Sequence, residues 1–247
     1  MRKLKVGIIG CGTIGRAIAK ACQARLRNRF ELVGLCDIDE AKAALLNKRL
    51  KKGAPILKLD DLIKKADLVI ESASAKISAE ILEKAIKNKK RVFIMSVGGL
   101  LGKERLLESA RNKGINVHLP SGAICGIDGL KSASAGRIDS VTLTTRKPPK
   151  ALAGAPYLEK RGINLNDIRE ETVLFDGDAK GAIEGFPQNV NVSAVLSLGG
   201  IGAKKTRVRI ITSPEYTKNI HDLEIAGSFG RIAARTENAP SKANPKT

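Results

Sequence analysis

Leu4-Lys5-Val6-Gly7-Ile8-Ile9-Gly10-Cys11-Gly12-Thr13-Ile14-Gly15 decides the fold. Its first half is a short apolar run that ends in glycine, the pattern of a strand buried on both faces. Its second half is G-x-G-x-x-G, followed by a helical spacing through Ala17, Ile18, Ala21 and Leu26. The glycine fingerprint carries weight only where a strand precedes it and a helix follows. In that context Gly10 makes the tight turn, Gly12 lets the backbone approach a pyrophosphate, and Gly15 lets the helix pack on the strand. The helix N-terminus, with Thr13 and Ile14, turns free N–H groups and a positive dipole end towards phosphate. Phe30–Asp37 is the second strand, and Asp37 stands where a carboxylate accepts hydrogen bonds from the adenosine ribose. A carboxylate there disfavours a 2′-phosphate, so NAD is preferred; nearby Lys42 keeps NADP open. The expected cofactor is NAD or NADP.

Strand and helix patterns alternate onward from this unit. Asp39 caps a helix from Glu40 to about Leu50, and Leu57–Leu59 makes a short third strand. Ala66–Glu71 is a fourth strand, and Ser78 is the expected cap of the helix that follows. Arg91–Ser96, a helix over Lys103–Asn112, and Ile115–Pro120 complete the series. Such a series gives a parallel sheet covered by helices on both faces. Ligands bind beyond the carboxyl ends of such strands. Ser72 and Ala73 are therefore candidate cofactor contacts, and the loops Ser96–Gly99 and Pro120–Ala123 belong to the same rim.

After about Gly122 the rhythm changes. Asp139–Lys147, Thr172–Phe175, Lys205–Thr212, Asn219–Gly227 and Gly230–Thr236 are strand-like, with helices around Pro156–Arg161 and Asn189–Gly202. The fold class expected is α/β: an N-terminal Rossmann domain with a parallel sheet, plus an α+β catalytic domain with a mostly antiparallel sheet. The boundaries predicted are 1–125 for the dinucleotide-binding domain, 126–237 for the catalytic and dimerisation domain, and 238–247 for a tail returning towards the first.

Composition sets the remaining limits. The chain has 247 residues, 43% hydrophobic and 28% charged, with a formal charge of +19. Residues 1–150 carry 31 basic against 14 acidic residues, so nearly all of that excess lies before residue 151. Solvated helix faces and last turns account for most of it. Aromatics are only 3% and Trp is missing, which disfavours base-stacking nucleic-acid modules. No apolar run is long enough for a membrane span, and the apolar run after Lys5 is too short for a signal peptide. The four cysteines form no CxxC pair, so reduced thiols in a cytoplasmic protein are expected and no metal site.

The chain has two histidines. His118 is a strand residue near a sheet end. His221 falls in step with Leu223 and Ile225, on the apolar side of an alternating strand. By residue type it suits proton transfer, although a lone histidine on an apolar face is more often structural. The alternation sends Asp222 to the other face, so it does not orient His221. Arg146 and Lys147, at a strand end, are candidate partners for substrate carboxylates.

The chain resembles the L-aspartate dehydrogenases of archaea and some bacteria over essentially its whole length. Besides the glycine fingerprint, the resemblance rests on Leu119–Ala123, Gly126-Ile127-Asp128, Thr144-Thr145-Arg146-Lys147-Pro148-Pro149, Phe186–Val192 and Asn219-Ile220-His221. It implies NAD(P)-dependent oxidative deamination of L-aspartate to iminoaspartate, or to oxaloacetate and ammonia, with a product that feeds de novo NAD synthesis. It also implies a homodimer, Ala123 and Asn189 as cofactor contacts, and His221 as the active-site histidine. Members of the family continue beyond a segment like Asn244–Thr247 into a final apolar helix that packs on the cofactor domain; this sequence ends at Thr247. Two alternatives stand beside this expectation. One is another two-domain Rossmann reductase, akin to dihydrodipicolinate reductase, although the paired histidines of that group are missing. The other is a non-catalytic protein binding a dinucleotide or nucleic acid, for which a steep salt dependence is the signature.

Overall fold

The computed structural model describes residues 2–187 and 191–239. These fall into two compact units divided between Pro120 and Ser121. The division precedes the boundary expected after Cys125. The Asn238 side-chain amide donates to the Ala123 carbonyl at 3.0 Å, which ties the loop after Pro120 to the second unit's last strand.

The first unit is built on five parallel strands: β1 (Leu4–Ile9), β2 (Phe30–Cys36), β3 (Leu68–Glu71), β4 (Arg91–Ile94) and β5 (Val117–His118), in the order β2-β1-β3-β4-β5. Helices α1 (Thr13–Gln23), α2 (Glu40–Lys48), α3 (Leu59–Lys65), α4 (Ala75–Lys87) and α5 (Glu104–Asn112) supply the crossovers. Val6, Ile8, Leu35, Val69, Val92 and Ile94 are all buried, as near-continuous apolar strands require. Asp39 does cap α2, its carboxylate accepting from Ala41 N–H at 3.1 Å. Two local expectations are corrected. The strand at Leu57–Leu59 reduces to a single bridge between Leu35 and Ile56, because Leu59 already starts α3. Helix α4 begins at Ala75, with Ser74 in the N-cap position. Ser78 is buried inside the helix and donates back to the Ala75 carbonyl at 3.2 Å.

The second unit carries a five-stranded sheet: β6 (Ile138–Lys147), β7 (Thr172–Asp178), β8 (Thr206–Thr212), β9 (Asn219–Gly227) and β10 (Gly230–Asn238), ordered β10-β9-β6-β8-β7. Only β6 and β8 run parallel; the other neighbours are antiparallel. Helices α6 (Ile127–Ala133), α7 (Pro149–Leu152), α8 (Pro156–Lys160), α9 (Ala179–Gly185) and α10 (Asn191–Gly199) accompany it. Leu152, Leu158, Leu174, Phe175, Ala182, Phe186 and Val208 form a core at the β7–β8 side. Phe175 meets Tyr157 edge-on at 5.3 Å, and Phe186 at 6.0 Å. The sequence did not announce α9. Its glycines, poor helix formers, are there for clearance: a Cβ on Gly185 would lie 2.8 Å from Tyr157 Cβ.

Candidate active site

The strand order of the first sheet reverses between β1 and β3, which puts the Gly10 and Ser72 turns side by side. The Ser72 hydroxyl donates to the Gly10 carbonyl at 2.8 Å, and Ala73 N–H to Glu71 Oε1 at 2.7 Å. Glu71 is fully buried, and burial raises its pKa. Ser96, through its N–H at 2.8 Å and its hydroxyl at 2.9 Å, supplies compensating hydrogen bonds. Ser72 and Ala73 thus belong to a braced rim beneath the glycine turn.

Each fingerprint glycine has a separate steric reason. Gly10 has φ +92°, a conformation L side chains rarely adopt. A Cβ on Gly15 would stand 1.9 Å from the Gly10 carbonyl oxygen. A Cβ on Gly12 would meet nothing within 4 Å, so it would project into the cradle above the start of α1. That cradle suits a pyrophosphate, since the α1 N–H groups converge there. Asp37 accepts from Cys11 N–H at 2.7 Å and from Asp39 N–H at 2.9 Å. A carboxylate offers about four acceptor positions, so it retains capacity for ribose hydroxyls. Ile14 and the fully exposed Ile38 add apolar surface beside this turn. The sequence had not singled out Ile38. The residues present therefore fit a dinucleotide.

In the second unit, the buried face of the β6–β9 ladder changes character along its length. Val141 opposite Ile225 and Leu143 opposite Leu223 are apolar. The next pair on that face is Thr145 opposite His221, both buried, with Thr145 Oγ1 3.0 Å from His221 Nδ1. Beyond the Arg146–Ile220 pair stand Lys147, 4% exposed, and Asn219, 3% exposed. On the neighbouring strand Thr212 pairs with Lys147 and donates its hydroxyl to the Lys147 carbonyl at 2.8 Å. Thr236 of β10 lies opposite His221 on the other side. His221 is thus the centre of a buried polar patch.

Electrostatics mark the same patch. Burial, with the Lys147 charge adding to it, lowers the His221 pKa to about 4. Burial alone lowers the Lys147 pKa to about 8. At neutral pH the imidazole is neutral and the ammonium still charged. Cationic and proton-accepting groups held together out of water are a usual mark of a functional site.

The structure separates the two cations expected to act together. Lys147 shares the His221 face. Arg146 points the other way, ion-paired with Asp222 and 3.8 Å from Glu171. Asp222 lies on that far face too, and Arg235 approaches it at 3.3 Å. His118 is exposed on β5, its ring stacked on Phe93 at 6.2 Å. Ala123 is exposed near the start of the second unit. Asn189, most of the expected tail 238–247, and the first residues of the helix expected from 189 lie outside the described residues. Thr145 and Thr236 were missed as site residues because only strand register brings them to His221; Asn219, two residues before His221 on the same face of β9, was within reach of the alternation and was missed as well.

Known proteins give the same two-part division. Residues 10–120 match the family model for the homoserine dehydrogenase NAD-binding domain, and residues 128–247 match that for the aspartate dehydrogenase C-terminal region. An L-aspartate dehydrogenase from Methanosarcina barkeri is 46% identical, over 99% of this chain and 91% of its own. One from Nitrosopumilus maritimus is 38% identical, over 98% and 90%. The crystal structure of an aspartate dehydrogenase from Thermotoga maritima superposes with TM-score 0.74 at 27% identity, covering 96% of this chain and 90% of that one. A myo-inositol dehydrogenase from Lactobacillus casei, at 17% identity and TM-score 0.57, shares the fold. With a braced dinucleotide turn in one unit, a buried histidine patch in the other, and relatives this similar along nearly the full length, the chain belongs to the L-aspartate dehydrogenase family.

Proposed function

We propose that the enzyme oxidatively deaminates L-aspartate with NAD or NADP, giving iminoaspartate that water converts to oxaloacetate and ammonia. The observation that carries this is the presence of His221, its Nδ1 engaged by Thr145, and Lys147 on one buried face of the sheet. The bound nicotinamide supplies a two-electron acceptor for the hydride from Cα. Gly10, Gly12 and Gly15, with the Thr13–Ile14 start of α1, hold the pyrophosphate, and Asp37 holds the ribose. Ser72 and Ala73 line the rim. Ala123 and Asn189 complete the contacts that the family resemblance implies.

Lys147 holds a substrate carboxylate as an ammonium, a charge-assisted bond strengthened by burial. Arg146 is committed to Asp222 and contributes at most to the far side of the sheet. Hydride loss requires the substrate amine to be neutral, so one proton must leave the ammonium. His221 accepts it at Nε2, since Thr145 engages Nδ1. An imidazole with a pKa near 4 is a weak base in the free enzyme. Two substrate carboxylates beside it raise that pKa, so its basicity is switched on by the substrate's own charge. Thr145 takes the orienting place that a carboxylate occupies in other catalytic sets.

The same proposal makes the enzyme a cytoplasmic homodimer whose product feeds de novo NAD synthesis, as the family resemblance implies. The function is tested by following reduced nicotinamide when the purified protein meets NAD and L-aspartate. Turnover with aspartate well above that with other amino or hydroxy acids supports it. Silence with aspartate, alongside turnover of another acid, refutes the substrate assignment and leaves the fold intact.

A further inference from the structure

Native proteins leave very few buried polar atoms without a hydrogen-bond partner, and each exception calls for an explanation, a catalytic role or an absent partner among them. Among the described residues three side-chain atoms are of this kind: Arg209 Nε, Asn219 Oδ1 and Thr236 Oγ1. Arg209 Nε is 3.3 Å from an Asp176 oxygen, so its charge is matched. The other two both flank His221. Asn219 precedes it by two residues on the same buried face of β9 and is only 3% exposed. Thr236 stands directly across the β9–β10 ladder from it. Orphaned polar groups on both sides of the one buried histidine are a concentration that packing alone does not explain.

The chemistry of each orphan selects its partner. A carboxamide oxygen only accepts. Of the groups on an amino dicarboxylic acid, the two carboxylates donate nothing when ionised, and the amine does. A threonine hydroxyl can donate, and a carboxylate is its natural acceptor. We infer that Asn219 Oδ1 accepts a hydrogen bond from the substrate's amino group, setting its nitrogen beside His221, while the Thr236 hydroxyl donates to a substrate carboxylate. This rests on the proposed function and adds to it the residue that recognises the amine. Lys147, which like Asn219 stands just beyond the last β6–β9 pair, then serves the carboxylate end, so acceptor and cation divide the substrate's donor and acceptor groups between them. Asn219 also explains how the amine is held while one of its protons goes to His221: one N–H is engaged by the amide oxygen as another is removed.

The test uses Asn219→Leu and, as a smaller variant, Asn219→Ala in the full-length enzyme. Four quantities are measured: KM for L-aspartate, KM for ammonia in the reverse reaction with oxaloacetate, the dissociation constant for NAD, and the thermal midpoint. Hydrogen bonds to charged groups predict that both KM values rise about 10- to 100-fold. NAD binding stays within about twofold. The midpoint of Asn219→Leu does not fall, because the leucine has no polar atom to desolvate. If Asn219→Leu fails to fold, Asn219→Ala carries the same KM expectations. Wild-type turnover of aspartate with unaltered KM values in the folded variant overturns the inference alone. A lower midpoint at unaltered KM assigns Asn219 a structural role and also overturns it. A wild-type enzyme silent with aspartate overturns the function on which the inference rests, and the inference with it.

Discussion

Replacing Lys147 by methionine should make the protein more stable and a poorer enzyme at once. Lys147 is 4% exposed, and burial lowers its pKa from 10.5 to about 8. A shift of that size, at about 1.4 kcal/mol per unit, corresponds to roughly 3 kcal/mol of differential penalty on the charged form. The sign follows from linkage. Below pH 8 the folded state holds a buried ammonium and the full penalty applies; it is relieved as pH rises from 8 to 10.5. Methionine keeps most of the chain's length and apolar contact and carries no charge. At pH 7 Lys147→Met is expected to gain about 1–3 kcal/mol, some of the relief being offset by lost polar contacts. The gain should shrink towards zero near pH 10.5. Urea denaturation at the two pH values measures this directly. In the same variant KM for aspartate should rise about 10- to 100-fold, the worth of a charge-assisted bond. A variant less stable at pH 7 with unchanged KM would show that Lys147 serves the fold, and would refute its role in substrate binding.

Gly12 and Gly15 should separate cleanly. Gly12→Ala folds with stability within about 0.5 kcal/mol of wild type, because its Cβ meets nothing, yet loses NAD affinity by about tenfold or more in titrations. Gly15→Ala, with its Cβ 1.9 Å from a carbonyl oxygen, loses about 1–3 kcal/mol in denaturation experiments. Asp37→Ser should narrow the preference for NAD over NADP in steady-state kinetics, by removing the charge that opposes a 2′-phosphate. The pH profile of kcat/KM for aspartate should fall above about pH 8 as Lys147 deprotonates, with its acid limb displaced well below 6.5 by the buried His221.

The first unit was legible because its signals are local. A glycine turn must follow its strand, and Asp37 must end the next one. What failed there was also local in cause: Leu57–Leu59 looks like a strand until α3 claims Leu59, and Ser78 looks like a cap one turn inside the true start of α4. The second unit was legible in its strands and less so in its helices, since α6 and α9 are short and contain glycines. For the site, His221 stood out by residue type and alternation. The period of two could also have split Arg146 from Lys147, because adjacent strand residues face opposite ways. Asn219 could have been found by the same alternation, since it stands two residues before His221 on one face. Thr145 and Thr236 carry no such signal: their place beside His221 depends on pairings of β9 with β6 and β10, the first formed over 76 residues of separation. Register of that range is fixed by the folded sheet and not by neighbouring residues.

The central claim is that His221 moves the proton while a separate unit holds the cofactor. It is tested most directly by single-turnover reduction of NAD by L-aspartate in His221→Ala, with NAD binding measured in parallel. We predict unchanged NAD affinity and a rate of reduced-nicotinamide formation lower by about 10²- to 10⁴-fold. A rate within a few-fold of wild type would contradict the account.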